Sequence, residues 1–154
     1  EIIMGTFQYK GQGLRSVGAY QVSGAPFITG STGLGQNKCH MVEFPFVTKS
    51  VTITNTTSNA GYNIRLHFNS GSTAITIPGD KGEQNINDED DIIAKKHFIT
   101  VPAGFGSVTM DVKCKRLYIS QNANNSDFSY EVFAELTGIP TSSMYHLTGS
   151  GITE

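Results

Sequence analysis

The sequence predicts an all-β fold: an antiparallel β-sandwich, jelly-roll-like, with an extended N-terminal arm and a C-terminal tail. Three observations predict it. Gly, Ser, Thr and Asn together supply 57 of 154 residues, while Leu and Ala number only 6 and 8. That balance favours strands and turns over helices. Several stretches alternate apolar and polar residues with a period of two, as half-buried strands do. Turn-forming tracts separate these stretches at short intervals, the spacing of a sandwich or barrel.

Residues 1–38 read as a glycine-rich arm. So many glycines leave little side chain to pack and carry a high backbone entropy cost. Short strands are expected near 2–9 and 18–23. The sandwich proper is expected over residues 39–138. CHMVEFPFV (39–47) is strand-like, and Pro45 within it suggests an edge or a bulge. SVTITNT (50–56) sets Val51 and Ile53 on one face. YNIRLHF (62–68) sets Tyr62, Ile64, Leu66 and Phe68 on one face, with Asn63, Arg65 and His67 pointing outward. TAITI (73–77) is a further short strand, and residues 78–95 form the longest loop.

KHFITV (96–101) resumes strand character, and PAGFG (102–106) turns the chain. SVTMDVKC (107–114) alternates again. KRLYIS (115–120) follows with almost no link, which suggests a switch between sheets more than a hairpin. FSYEVFAEL (128–136) places Phe128, Tyr130, Val132, Ala134 and Leu136 inward. Pro140 ends it, and residues 139–154 form the tail, with one helical turn in PTSSMYHL.

Composition excludes several classes. A chain of 16.6 kDa is a single-domain length. The net charge is −2, so no basic face argues for nucleic acid. The longest basic cluster is Lys113, Lys115 and Arg116. No apolar run approaches the ~18 residues of a membrane helix, so no membrane partner is expected. No secretory leader is visible. Cys39 and Cys114 read as free thiols of a protein made in a reducing cytoplasm.

Chemistry-bearing patterns are weak. TGSTGLG (29–35) is glycine-rich, but no helix follows it, as a dinucleotide loop requires. NINDEDD (85–91) reads as a solvated acidic loop, with a calcium ion shared between subunits as the alternative; the EF-hand pattern fails. The four histidines, His40, His67, His97 and His146, stand beside no nucleophile–carboxylate grouping, so no catalytic residues, metal or cofactor are expected and the chain reads as a non-enzyme. Tyr20, Phe27, Phe105 and Phe133 are candidate exposed aromatics for stacking on sugars. Sequons stand at Asn55 and Asn124.

Two apolar segments lie outside the expected core: Ile2, Ile3, Met4, Phe7 and Tyr9 at the N-terminus, and Ile139, Met144, Tyr145 and Leu147 in the tail. Apolar extensions outside a closed core bury on something else, and extended segments add strands to a neighbour's sheet. Ile2, Ile3, Met4, Phe7, Tyr9, Met144, Tyr145 and Leu147 are therefore the expected partner-binding residues.

From residue 39 onward the order FPFVTKSVTITNTT, YNIRLHF, VTMDVKCKRLYIS and AELTGIPTSSMYHLTGSGITE resembles small virion structural proteins of tailed bacteriophages from aquatic environments. The resemblance implies a capsid decoration (cement) or minor capsid protein, sitting on the major capsid protein at the virion surface. It implies a homotrimer or other homo-oligomer, synthesised in the host cytoplasm. A tail, head-fibre or receptor-binding component that contacts host glycans is the alternative. A free carbohydrate-binding module is a third reading.

Overall fold

In the computed structural model, which describes residues 13–21, 23–69, 81–86, 89–121, 126–145, 147 and 150, two antiparallel sheets pack face to face. The first has the order β1 (Ala25–Leu34), β9 (Phe128–Pro140), β3 (Phe46–Asn55), β7 (Ser107–Met110). The second has the order β5 (Lys81–Asn85), β2 (Lys38–Glu43), β8 (Arg116–Gln121), β4 (Ile64–His67), β6 (Ile99–Val101). Two short helices, α1 (Val17–Gln21) and α2 (Asp91–Ala94), and a single 3-10 turn at Thr141–Ser143 complete the described elements.

The pairing is nested. β1 pairs with β9, β2 with β8, β3 with β7 and β4 with β6. A chain folded once into a long antiparallel ribbon and then wound into two sheets gives this order. The ribbon changes sheet at each step, and between β2/β8 and β3/β7 its two arms cross hydrogen-bonded to each other. Phe44 N donates to Lys115 O at 3.0 Å, and Thr48 N donates to Cys114 O at 3.0 Å. Thr48 Oγ1 also donates to Val112 O at 2.7 Å and accepts from Cys114 N at 3.0 Å. Residues 44–48 and 112–115 thus switch sheets side by side. The abrupt junction before Lys115 is a sheet switch, as its shortness suggested, and Pro45 stands at the matching crossover.

The core between the sheets is made of the period-two residues. Val51, Ile53, Val132, Ala134 and Tyr130 of the first sheet meet Val42, Ile64, Leu66, Leu117 and Ile119 of the second. Tyr62 stacks on Phe128 at 4.9 Å, and Phe27 meets Phe44 edge-on at 5.3 Å. Tyr130 reaches across, its hydroxyl 2.9 Å from His40 Nδ1. Asn55 is fully buried: its Nδ2 donates to Tyr62 O and Val101 O, and its Oδ1 accepts from Thr57 N. A sequon whose amide nitrogen is spent inside the core cannot carry a glycan.

Several expectations change. The arm does not extend to residue 38, because β1 hydrogen-bonds along β9 and the sandwich starts at Ala25. Only Phe27 and Leu34 of β1 pack against the core, so its sequence shows no alternation. Residues 17–21 are helical and not a strand. The 78–95 loop contains β5 and α2. His67 stands on the outer face of the second sheet, as expected, yet is buried; Ile86 and Ile93 pack over that same face. At the other end, β9 runs to Pro140, so Ile139 belongs to the domain. The predicted strands at 2–9 and 73–77, Asn124 and His146 lie outside the described residues.

Candidate assembly surface

The described N- and C-terminal segments meet at one end of the sandwich. Ala19 of α1, Val47 at the start of β3, Ile139 at the end of β9 and Met144 after the 3-10 turn form a second small core. Leu14, Tyr20 and Leu147 pack against it from the rim. Thr137 fixes this end by donating its hydroxyl to Val47 O at 2.7 Å and accepting from Ile139 N at 3.1 Å. Pro140 pairs with Phe46 beyond a register shift in the β3–β9 ladder, and because proline has no N–H to continue the ladder, the strand stops there.

The basic cluster of the sequence is spent on this end. Lys113 Nζ donates to Leu14 O at 3.4 Å and lies 5.7 Å from the Tyr20 ring centre. Lys115 Nζ donates to Met144 O at 2.8 Å. Arg116 pairs with Glu43 at 3.2 Å. Each cation therefore ties a segment down within the chain.

Three large apolar side chains stay exposed there among polar neighbours such as Arg15, Asp111 and Ser142. Val17 is 65% exposed, Tyr145 44% and Phe46 42%. Beside them lies an open hollow of about 370 Å³ lined by Tyr20, Lys49, Asp111, Val112 and Lys113. The Tyr20 hydroxyl oxygen is buried with no hydrogen-bond partner among the described residues. Burial, and then Tyr145, push its pKa above the ordinary tyrosine value.

Of the expected partner-binding residues, Tyr145 is exposed at this end and Leu147 is half-buried. Met144 is buried against Ala19, Val47 and Ile139, so its side chain serves the domain itself. Ile2, Ile3, Met4, Phe7 and Tyr9 lie outside the described residues. Val17 and Phe46 were missed by sequence reading. Val17 sits among glycines without periodicity, and Phe46 was assigned to a strand whose face the Pro45 crossover resets. Among the sugar-stacking candidates, Phe27 packs on the core, Tyr20 lines the hollow, and Phe105 and Phe133 are exposed. Phe105 follows Gly104 in a turn where both have positive φ, +63° and +74°. The turn is held by Gly104 N to Thr57 O at 2.7 Å and Phe105 N to Asn55 O at 2.9 Å.

The fold gathers one set of chemically capable side chains on the outer side of the second sheet. His67 Nδ1 must donate to Asn69 O, which only accepts, at 2.7 Å. Its Nε2 therefore carries no proton and accepts from Ser120 Oγ at 3.0 Å, with Cys39 Sγ 3.9 Å away. The order orienter–imidazole–hydroxyl suits nucleophile activation. Burial denies it a substrate: Cys39 and Ser120 are wholly inaccessible and His67 nearly so. Burial also pulls the His67 pKa down to about 4. Burial pushes the other thiol, Cys114, up to about 11. The His67 network is structural.

Among the described residues, no group of three His, Cys, Asp or Glu stands together to hold a metal, and no helix is long and apolar enough to cross a membrane. Compared with known proteins, the chain matches no family model, no curated protein and no solved structure.

Proposed function

We propose that this chain is a virion structural protein: a capsid decoration (cement) or minor capsid protein of a tailed bacteriophage, stabilising the head by binding the major capsid protein. The observation that carries the reading is the end of the sandwich where Leu14, Ala19 and Tyr20 gather with Ile139, Met144 and Leu147 around Val47. It is tied down by three internal anchors yet leaves Val17, Phe46 and Tyr145 in water. A rigid apolar surface of this kind suits a permanent partner. Apolar area buried at such a seam contributes about 25 cal/mol per Å² toward holding capsomers together.

The strand order supports the reading at the level of fold. With β5 set aside, the nested pairs β1–β9, β2–β8, β3–β7 and β4–β6 follow the jelly-roll plan, which viral capsid domains use among others. Fold alone does not decide function, so the apolar end remains the carrying observation. A homotrimer or other closed homo-oligomer at the capsid surface, assembled after synthesis in the host cytoplasm, completes the proposal.

The test is to sediment virions from a lysate of the native source and quantify this chain against the major capsid protein. Recovery in near-stoichiometric amounts supports a decoration protein. A few copies per particle points instead to a tail or fibre part, and recovery only in the soluble fraction rejects the virion reading.

A further inference from the structure

The outer face of the first sheet holds a site of a different chemistry. The register fixes its layout. Across the sheet, Ile28, Phe133, Thr52 and Thr109 form one row, and Gly30, Glu131, Thr54 and Ser107 form the next. Ile28 is 77% exposed and Phe133 42%, so the β1–β9 half of the first row is a low apolar ridge that the described residues leave open.

In the second row the ridge gives way to a hollow, and the cause is Gly30. A Cβ at position 30 would stand 2.7 Å from Tyr130 O, so close strand approach admits only glycine there. The missing side chain opens a shallow depression of about 490 Å³, lined by Gly30, Ser31, Thr32, Thr56, Tyr130 and Glu131. Its polar groups are hydroxyls and one carboxylate. Thr56 Oγ1 donates to Ser129 Oγ at 2.8 Å, and Ser31 Oγ accepts from Gly33 N at 3.1 Å. Glu131 is exposed and forms no ion pair among the described residues. Farther along β9, Glu135 accepts from Ser50 Oγ at 2.8 Å. Among the strands of this sheet the one basic residue is Lys49, at the β3 bulge beside Ser50, five residues along β3 from the Thr54 that neighbours Glu131.

We propose that this depression binds a neutral oligosaccharide. A pyranose ring offers a C–H face and a rim of hydroxyls. The Ile28–Phe133 ridge suits the first, and Glu131 with the threonine and serine hydroxyls suits the second. A few placed polar groups beside an apolar wall are what small-ligand sites use for orientation. The carboxylate at 131, which forms no ion pair among the described residues, disfavours uronic, sialic or sulfated sugars in the depression. The site lies on the first sheet's outer face and does not depend on the capsid reading, because it is tested on the isolated chain.

The experiment titrates the full-length ¹⁵N-labelled chain with neutral hexose and N-acetylhexosamine oligosaccharides. Uronic-acid and sulfated oligosaccharides serve as the opposed set. The expected result is saturable shifts for a neutral sugar, centred on residues 30–32, 56, 131 and 133, with no binding of the anionic set. Phe133→Ala and Glu131→Gln each weaken the affinity about tenfold, while the amide spectrum of each variant stays folded. The proposal is overturned if no neutral sugar shifts these residues at millimolar concentration. It is equally overturned if anionic sugars bind better, or if both variants bind like the parent.

Discussion

The two sheets share a core but present opposite outer faces. On the second sheet, Cys39, Met41, Tyr118, Ser120 and His67 point away from the core and are still buried. Ile86 and Ile93, from the segment around α2, pack over that face with Cys39, Met41 and Tyr118. On the first sheet, the equivalent positions are Ile28, Phe133, Glu131, Thr52 and Thr109, and they meet water. One sheet is therefore apolar or hydrogen-bonded on both sides, and its reactive side chains serve the fold. The other keeps a face free. The lesson is that a Ser–His–Cys grouping and an exposed Phe carry opposite meanings here, and burial decides between them.

The largest test of this contrast is stability. Tyr118→Ala empties a buried site stacked on His67 and should cost about 3 kcal/mol or more. Phe133→Ala, on the open face, should cost under about 1 kcal/mol. Chemical denaturation of both variants measures the difference, and equal losses would erase the distinction between the faces.

Acid should strike the covered sheet next. Unfolded histidine takes up its proton near pH 6.5, whereas folded His67 does so only near 4. Between these values the unfolded chain binds more protons, so stability falls as pH drops through the window, by roughly 3 kcal/mol in total. Above pH 6.5 this group adds no slope, and His67→Gln should flatten the profile between 6.5 and 4.

At the apolar end, Val17→Asp and Tyr145→Ser should lower particle association at least tenfold. Both positions are exposed, so stability should stay within about 0.5 kcal/mol. Co-sedimentation with depleted particles reads the first effect and thermal melting the second. The smallest effect is chemical: Cys39 and Cys114 are buried free thiols, so the native chain should resist alkylation at pH 8 and label at both sites in denaturant.

The fold was legible where one strand face alone is buried. β9 shows this: Phe128, Tyr130, Val132, Ala134 and Leu136 alternate with exposed or half-buried neighbours, and Pro140 closes it. The sheet switch before Lys115 was also legible from the missing turn. β1 was not, because an edge strand held by backbone bonds needs few apolar side chains, and Gly30 is there for close approach. β4 misled for the opposite reason: Arg65 and His67 on its outer face are buried, as are the core residues Ile64 and Leu66. Ile86 and Ile93, which pack over that outer face, come from a stretch with no local signature, since β5 has no alternation and α2 spans only four residues. Tyr145 was legible as a surface residue from its place after Pro140. Val17 and Phe46 join it only through tertiary packing, which no local pattern announces.

If the chain is the proposed decoration protein, its apolar end faces the capsid while the open face of the first sheet stays in water. Hydroxyl-radical footprinting of the chain, free and on purified particles, tests this most directly. Labelling of Phe46 and Tyr145 should fall sharply on the particle, Phe133 should label equally in both states, and Met41 and Tyr118 should stay protected throughout. Protection of Phe133 with Phe46 and Tyr145 unchanged would contradict the account.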